Sequence, residues 1–442
     1  MSPTYANALH ILRTLRALGH EALLAGGCVR DRLRGAQPKD YDIATSATPA
    51  QVQAAFEITE PVGVAFGVVL VIMDNAAYEV ATFRSDGDYL DGRHPTSVRF
   101  VSPEEDALRR DFTVNGLFYD PELDEVIDFV GGQADLKAGI LRAIGNPKAR
   151  FDEDRLRVLR VIRFACQLGF QIEPATWEAA KGYALNMTSL AWERIAAELT
   201  KTLASPQPRR GLELLDEAGL QQVLLPELTP MKGCTQPPEY HPEGDVWEHT
   251  LQVVQAISDQ GPPDNALAWA GLLHDVAKPA TRTVTDRIRF HGHEGEGATL
   301  ARAILQKLKL SNELIDGCCL LVADHLRFNQ IKDMRLATLK RLLRRSDIND
   351  LLVLLKADCL ASHGDLELYN IAKAKQAEFA SESAAKSLRP EPLLDGADLI
   401  VMGYHPGPIF KEILTAVEDE QLEGKLLNKE AALALVAERY PN

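Results

Sequence analysis

Apolar residues recur every three or four positions over most of this chain, and elsewhere they gather in short Val- and Ile-rich runs. The first pattern predicts helices and the second strands. Over Ala6–Gly19 the residues Leu9, Leu12, Leu15 and Leu18 are spaced by threes, which reads as an amphipathic helix ended by Gly19. A short apolar strand, EALLAGG, follows, and then a helical VRDRLRG. Strands are expected over Gly67–Met73 and Tyr78–Phe83, joined by a DNAA turn. Strands linked by hairpins and mixed with helices predict a mixed sheet, without the regular βαβ rhythm of a dinucleotide-binding domain.

From about Arg142 the texture becomes helix after helix. Asp152–Leu168, Ala175–Tyr183, Trp192–Leu203 and Gly211–Glu217 all show the helical spacing, with breaks at Pro174, Pro206, Pro208 and Pro226. The Pro- and Gly-rich CTQPPEYHPEGD marks a domain junction. Helices are expected beyond it to about Ala361, then a Lys/Ala/Glu-rich helix to about Ser387 and a last segment of turns and helices. The organisation read from this is an α/β head over 1–140, a helical neck and body over 141–235, a further helical domain over 236–365 and a helical tail over 366–442. In class terms this is an α+β multidomain chain.

Composition narrows the classes. A chain of 442 residues is long enough for two to four domains. With 46% hydrophobic and 25% charged residues it reads as soluble and globular. No apolar run reaches the ~18 residues of a spanning helix, and the start lacks the features of a secretory leader. Six scattered cysteines form no CxxC pair, so a reducing cytoplasm is the expected compartment. The formal net charge of −15 argues against indiscriminate nucleic-acid binding. Against that background, residues 142–163 carry seven basic residues and three acids, a strip able to hold a polyanion in one orientation.

Four motifs carry candidate chemistry. Gly26-Gly27 before Val29-Arg30-Asp31 is a strand-to-helix turn where backbone amides approach an anion, or simply a turn. Asp40-Tyr41-Asp42 places two carboxylates on one face of a strand, where a divalent cation such as Mg²⁺ relieves their repulsion. The other reading is a polar turn. Glu79, in YEVATFR, is a third carboxylate if its strand lies alongside. Arg109-Arg110-Asp111 with Asn115 offers guanidinium forks to phosphates, or an ion-paired helix start. In Glu153-Asp154-Arg155-Leu156-Arg157, continuing to Arg160 and Arg163, the spacing puts Asp154, Arg157 and Arg160 along one helix face. There they either match the edge of a base or pair with one another.

Together the strings LAGGCVRDRLRGAQPKDYDIAT, TFRSDGDYLDGRHPTSVRF, RRDFTVNGLFYD and GILRAIGNPKARFDEDRLRVLRVIRFA resemble, in order, the bacterial-type (class II) tRNA nucleotidyltransferase and poly(A) polymerase family over about residues 20–205. The resemblance implies a nucleotidyltransferase head in which Asp40, Asp42 and Glu79 hold catalytic Mg²⁺. It implies triphosphate binding by Gly27, Arg30 and Arg110, and a protein template for CTP or ATP in Asp154 and Arg157, supported by Arg160 and Arg163. Ser85–Pro95 resembles the family's loop that switches between C and A. Addition of the 3′-terminal CCA of tRNA is favoured over poly(A) synthesis, because PVGVAFGVVLVIM resembles the CCA-adding type and a basic Gly-Arg-Arg-Phe-like element and basic tail are missing. Poly(A) polymerase, a phosphohydrolase with an RNA-delivering head and a silent RNA-binding protein are the alternatives.

Five of the eleven histidines lie between 249 and 325. His249, the adjacent His274-Asp275 and Asp358 resemble the ligand set of an HD-domain metal-dependent phosphohydrolase, with a divalent transition metal or Mg²⁺ implied. His293 and His325 would complete a second metal site, Lys278 would hold a phosphate oxygen, and His291 is read as structural. Buried, merely structural histidines are the competing reading. A phosphate or 2′,3′-cyclic phosphate at an RNA end is the implied substrate. Partners are tRNA, CTP and ATP, with no membrane; nothing in the sequence fixes an oligomeric state.

Overall fold

The computed structural model describes residues 3–63, 66–86, 98–381, 388 and 390–441. It divides into two compact units, Met1–Pro226 and Glu227–Asn442.

The first unit opens with α1 (Tyr5–Ala17), β1 (Ala22–Ala25), α2 (Gly27–Leu33), β2 (Asp42–Thr45), α3 (Pro49–Ala55), β3 (Thr59–Gly63), β4 (Val68–Met73) and β5 (Ala76–Thr82). A ribbon of β6 (Arg84–Asp86) and β7 (Val98–Phe100) leads to α4 (Pro103–Leu108), β8 (Leu117–Asp120), β9 (Glu125–Asp128) and α5 (Gly132–Ala138). Seven strands form one sheet in the order β3-β4-β5-β2-β1-β8-β9. The β2–β5 pair is parallel and the others are antiparallel. The sheet is thus mixed, as expected, and its β4–β5 hairpin turns on Asp74 and Asn75, both at positive φ.

Strand periodicity divides the side chains of the sheet. Leu24, Ile43, Val69, Val71, Tyr78 and Val80 pack with α1 and α3 in one core, while Leu23, Ala25, Ala44, Phe83 and Phe118 form a second. Because β2 and β5 pair with Ile43 opposite Val80, Asp42 and Glu79 precede that pair on neighbouring strands and face away from α1. In α1 the buried stripe is Ala8, Ile11, Leu12 and Leu15, whereas Leu18 is exposed. A spacing by threes drifts around a helix of 3.6 residues per turn, so the stripe follows mixed threes and fours instead.

The rest of this unit is helical apart from the short pair β10 (Ile140–Leu141) and β11 (Gln171–Ile172). It comprises α6 (Pro147–Glu153), α7 (Leu156–Leu168), α8 (Pro174–Lys181), α9 (Trp192–Leu203), α10 (Pro208–Glu217) and α11 (Leu220–Leu224). Pro147, Pro174 and Pro208 open their helices, the position where a missing N–H costs nothing. The helix expected over Asp152–Leu168 is two helices. Asp154 is extended (φ −138°, ψ 102°), and its carboxylate accepts the Leu156 N–H at 3.1 Å, starting α7 rather than continuing α6.

The second unit contains α12 (Val246–Asp259), α13 (Asn265–Leu273), α14 (Lys278–Thr281), the hairpin β12 (Arg282–Val284) and β13 (Ile288–Phe290), α15 (His293–Lys307) and α16 (Asn312–Asp324). After these come α17 (Leu336–Leu343), α18 (Ile348–Ala361), α19 (Glu367–Ala380), α20 (Gly396–Val401), α21 (Pro408–Leu422) and α22 (Lys429–Arg439). The hairpin lies where only helices were expected, and its alternating TVTDRIRF is the signal that helical spacing on both sides obscured. The helix read to about Ser387 ends at Ala380, and residues 382–387 lie outside those described. Leu394, Leu399, Ile413, Val417, Leu426, Ala432 and Val436 form a separate core for the C-terminal helices.

One close approach holds the turn that carries Asn115. A Cβ on Gly132 would lie 2.2 Å from the Thr113 carbonyl oxygen and 2.9 Å from Leu117 Cδ2. Gly132→Ala is therefore expected to lower the stability of the first unit by about 2 kcal/mol, read as a lower urea midpoint; an unchanged midpoint would contradict the contact.

Candidate functional site

The first unit encloses a cavity of about 920 Å³. Its floor is the carboxylate face of the sheet, with Asp40, Asp42 and Glu79, and its walls carry Gly26, Gly27, Arg30, Arg110, Asp154, Arg157, Arg160 and Arg163. All ten catalytic and nucleotide-binding residues expected from sequence in the head and neck therefore line one space. Eleven basic and six acidic side chains line it, a local positive excess in an acidic chain.

The carboxylates sit at the start of β2. Asp42 is the first residue of that strand, and Asp40 lies in the bend before it rather than on it, with Tyr41 turned into the core between them. Their alternation survives this shift. Crowding by protein around Asp42, then the charges of Glu79 and Asp40, push its carboxyl up to about 6, although Arg110 and Arg30 oppose the shift. A divalent cation would supply the missing counter-charge, and three carboxylates in a basic cavity fit Mg²⁺ in donor type.

Gly26 takes φ +71° at the turn into α2, and a Cβ there would come within 3.0 Å of Arg110 Nη1. Arg110 is held by Asp106 at 3.0 Å, and Arg109 by the same carboxylate at 2.7 Å. Arg30 is buried, donating to Asn115 Oδ1 at 2.7 Å and to Asp31 at 2.8 Å.

The arginines of α7 stand in a row, each on its own acid. Arg157 pairs with Glu153 at 2.7 Å and donates to the carbonyls of Arg150 and Arg109; Arg160 grips Asp111, and Arg163 pairs with Glu198 at 2.5 Å. Phe164 receives Arg163, Arg160 and Arg30 at 3.8, 5.2 and 5.4 Å from its ring centre. Asp154 lies off the helix face expected for it, and its second oxygen pairs with Arg194 at 3.0 Å. Glu153, Asp111, Glu198 and Arg194 were not assigned roles from sequence; an arginine row implies anchoring acids, but only the fold names them. Of Ser85–Pro95, residues 87–95 lie outside those described.

The second unit has its own cavity, about 630 Å³, lined by Asp275, His293, His325, Asp358, Lys278 and His241, with His291 exposed at its edge. Asp275 is buried between two histidine pairs. Its Oδ2 faces His274 Nε2 at 3.3 Å and His249 Nε2 at 3.7 Å, while its Oδ1 faces His293 Nε2 at 3.3 Å and His325 Nε2 at 3.8 Å. Asp358 reaches His249 Nε2 at 3.1 Å. All six expected ligands converge. Lys278, however, is engaged by Asp275 at 2.7 Å and Gln236 at 2.7 Å.

The imidazoles are oriented in a telling way. His274, His293 and His325 direct Nδ1 at the carbonyls of Gly271, Phe290 and Val322, at 2.9, 2.7 and 2.7 Å, and His249 directs Nδ1 at Glu243 Oε1 at 2.7 Å. Protons on Nδ1 leave Nε2 lone pairs facing each other, 3.4 Å apart in His249–His274 and 3.3 Å apart in His293–His325. Burial drives His325 down to about 4, keeping it neutral. Burial opposes charge on His249 too, but hydrogen bonds to Asp358 and Glu243 outweigh it and raise it to about 9; a divalent cation would replace that proton. Asp275 Oδ2, fully buried, has no well-aligned hydrogen bond despite its nearness to Lys278. Opposed lone pairs and clustered carboxylates give two donor groups, His249–His274–Asp275 and Asp275–His293–His325, that fit divalent cations in donor type. His241 and Glu243 were missed because the HPEGD sequence reads as a junction.

Three family descriptions match the chain: poly A polymerase head domain over 22–142, probable RNA and SrmB-binding site of polymerase A over 169–232, and HD domain over 246–362. The CCA-adding enzyme of Ligilactobacillus salivarius is 33% identical across 97% of this chain and 95% of its own length. That of Geobacillus thermodenitrificans is 45% identical, across 51% of this chain, and the alignment spans about half (55%) of the relative. The crystal structure of Bacillus stearothermophilus CCA-adding enzyme in complex with CTP aligns with a TM-score of 0.72 and 30% identity, covering 99% of this chain and 98% of that one. Thermotoga maritima CCA-adding enzyme complexed with tRNA shares the fold at 18% identity, with a TM-score of 0.56 over 98% of this chain and 94% of that one.

The Asp111–Arg160 pair yields a pH test. Burial alone would raise Asp111, but Arg160 and the Asn115 hydrogen bond hold it down at about 2. A depressed carboxyl stabilises the fold above its ordinary value near 3.8 and loses that contribution as pH falls toward 2. Asp111→Asn should cost about 2 kcal/mol at pH 7 from charge alone, and the difference from wild type should shrink between pH 4 and pH 2 in urea unfolding. A pH-independent difference would refute the ion pair's contribution.

Proposed function

This chain belongs to the CCA-adding enzymes, and from that premise we propose that it builds or repairs the 3′-terminal CCA of tRNA from CTP and ATP, releasing pyrophosphate. The observation that carries the reading is the single cavity joining Asp40, Asp42 and Glu79 to the arginine row of α7. Mg²⁺ bound by those carboxylates would supply charge neutralisation for the triphosphate and for the attacking 3′-oxygen. Arg30 and Arg110, with the Gly26–Gly27 turn, bind the triphosphate; their donors are oriented by Asn115 and Asp106 before any nucleotide arrives. Asp154 and Arg157 read the base edge, one accepting and the other donating hydrogen bonds. Arg160 and Arg163, fixed by Asp111 and Glu198, hold α7 and thereby Arg157 in place. The six free thiols accord with a cytoplasmic location.

In the second unit, His249, His274, Asp275 and Asp358 hold one divalent metal, and Asp275, His293 and His325 hold a second. These metals would supply Lewis acidity for hydrolysis of a phosphate or 2′,3′-cyclic phosphate at an RNA end. His274 and then Lys278 keep Asp275 ionised, and the Lys278 ammonium, placed by Gln236, would meet a phosphate oxygen.

Labelled tRNA lacking CCA, offered CTP, ATP or both, tests the first activity. The full CCA should appear, and extension should then stop, only when both nucleotides are present. Asp42→Ala should cut addition by more than about 1,000-fold while leaving phosphohydrolysis unchanged. A long ladder with ATP alone would make the protein a poly(A) polymerase. A second experiment addresses base reading: Asp154→Ala and Arg157→Ala together should erode discrimination between CTP and ATP by about 10-fold or more per lost bidentate contact. Unchanged selectivity in the double variant would remove these two residues from the template.

A further inference from the structure

The three histidines whose Nδ1 meets a backbone carbonyl share a position: each sits at the end of a helix. His274 and His325 cap the C-termini of α13 and α16, where carbonyls lack helical partners, and each ring bonds the carbonyl three residues back. His293 opens α15 and reaches Phe290 at the end of β13. His249 differs. It is the fourth residue of α12, and the carbonyl three residues back, on Val246, already accepts the Thr250 hydroxyl at 2.8 Å. No helix-end carbonyl serves its ring.

Glu243, in the loop before α12, fills that place. Its Oε1 accepts from His249 Nδ1 at 2.7 Å and from His241 Nδ1 at 2.8 Å; its side chain is only 4% exposed, and Oε2 is buried without a hydrogen-bond partner. His241 stands edge-on to His249 at 4.9 Å between ring centres, so one carboxylate fixes two crossed imidazoles.

We propose that Glu243 is the positioning residue of the His249–His274–Asp275–Asp358 metal site. It holds His249 in the tautomer that presents the Nε2 lone pair to the metal, while its negative charge makes that nitrogen a stronger donor. In the second site, Asp275–His293–His325, both imidazoles are oriented by backbone carbonyls and do not depend on it. This inference rests on the metal-centre reading above.

The test is calorimetric titration of the metal-stripped full-length protein with Zn²⁺, in an Asp40→Ala, Asp42→Ala background that removes the head's carboxylate pair. The parent should bind two equivalents. Glu243→Ala should weaken one equivalent by about 10- to 100-fold and leave the other at parental affinity. Glu243→Gln, whose amide oxygen still accepts an Nδ1–H, should recover most of the loss. Two equivalents of parental affinity in both variants, or equal weakening of both equivalents, would overturn the proposal while sparing the metal centre. A parent that binds no Zn²⁺ would overturn both.

Discussion

Parallel pairing of β2 with β5 is the constraint on which the head's chemistry depends. It sets Asp42 beside Glu79 on one face of the sheet, with the opposite face committed to the core under α1 and α3. Burial and the nearby charges of Glu79 and Asp40 raise the proton affinity of Asp42. The surrounding residues answer that excess of negative charge with cations. Arg30 and Arg110 border the same cavity, and the helical segment that follows contributes the row from Arg157 to Arg163.

A dense group of arginines is itself unfavourable unless each guanidinium has a partner. Here the partners come from different elements: Glu153 at the end of α6, Asp111 before the Thr113–Asn115 turn, and Glu198 on α9. Phe164 adds a shared aromatic face beneath three of the guanidiniums. Each pair that quiets a charge also ties two segments together, so the site's electrostatics and the packing of this unit are one set of contacts. The same logic recurs in the second unit with the signs exchanged. There Asp275 stands among four imidazoles, with the Lys278 ammonium 2.7 Å from one of its oxygens.

Local periodicity made the mixed sheet and the run of helices legible, and the pairing of acidic with basic motifs made the cavity lining legible residue by residue. What sequence could not give was register and termination. The stripe of α1 runs through Ala8 and Ile11 rather than Leu9 and Leu18, because helical phase, not leucine identity, decides burial. Asp154 ends one helix and starts another through a bond to Leu156 that no spacing rule encodes. The β12–β13 hairpin is too short to outweigh the helical signal around it. Anchoring acids such as Glu198 and Glu243 act across the fold or from a loop, so their partners are spatial rather than sequential neighbours.

The four imidazoles around Asp275 are also unequal in heredity. Three are steadied by main-chain oxygens, which every residue except for its side chain supplies alike, so no codon change at Gly271, Phe290 or Val322 removes the acceptor itself. The fourth is steadied by a side chain, and that acceptor exists only while position 243 encodes one. A single substitution at position 243 therefore removes what orients one imidazole, whereas substitutions at the other three acceptor positions leave their carbonyls in place.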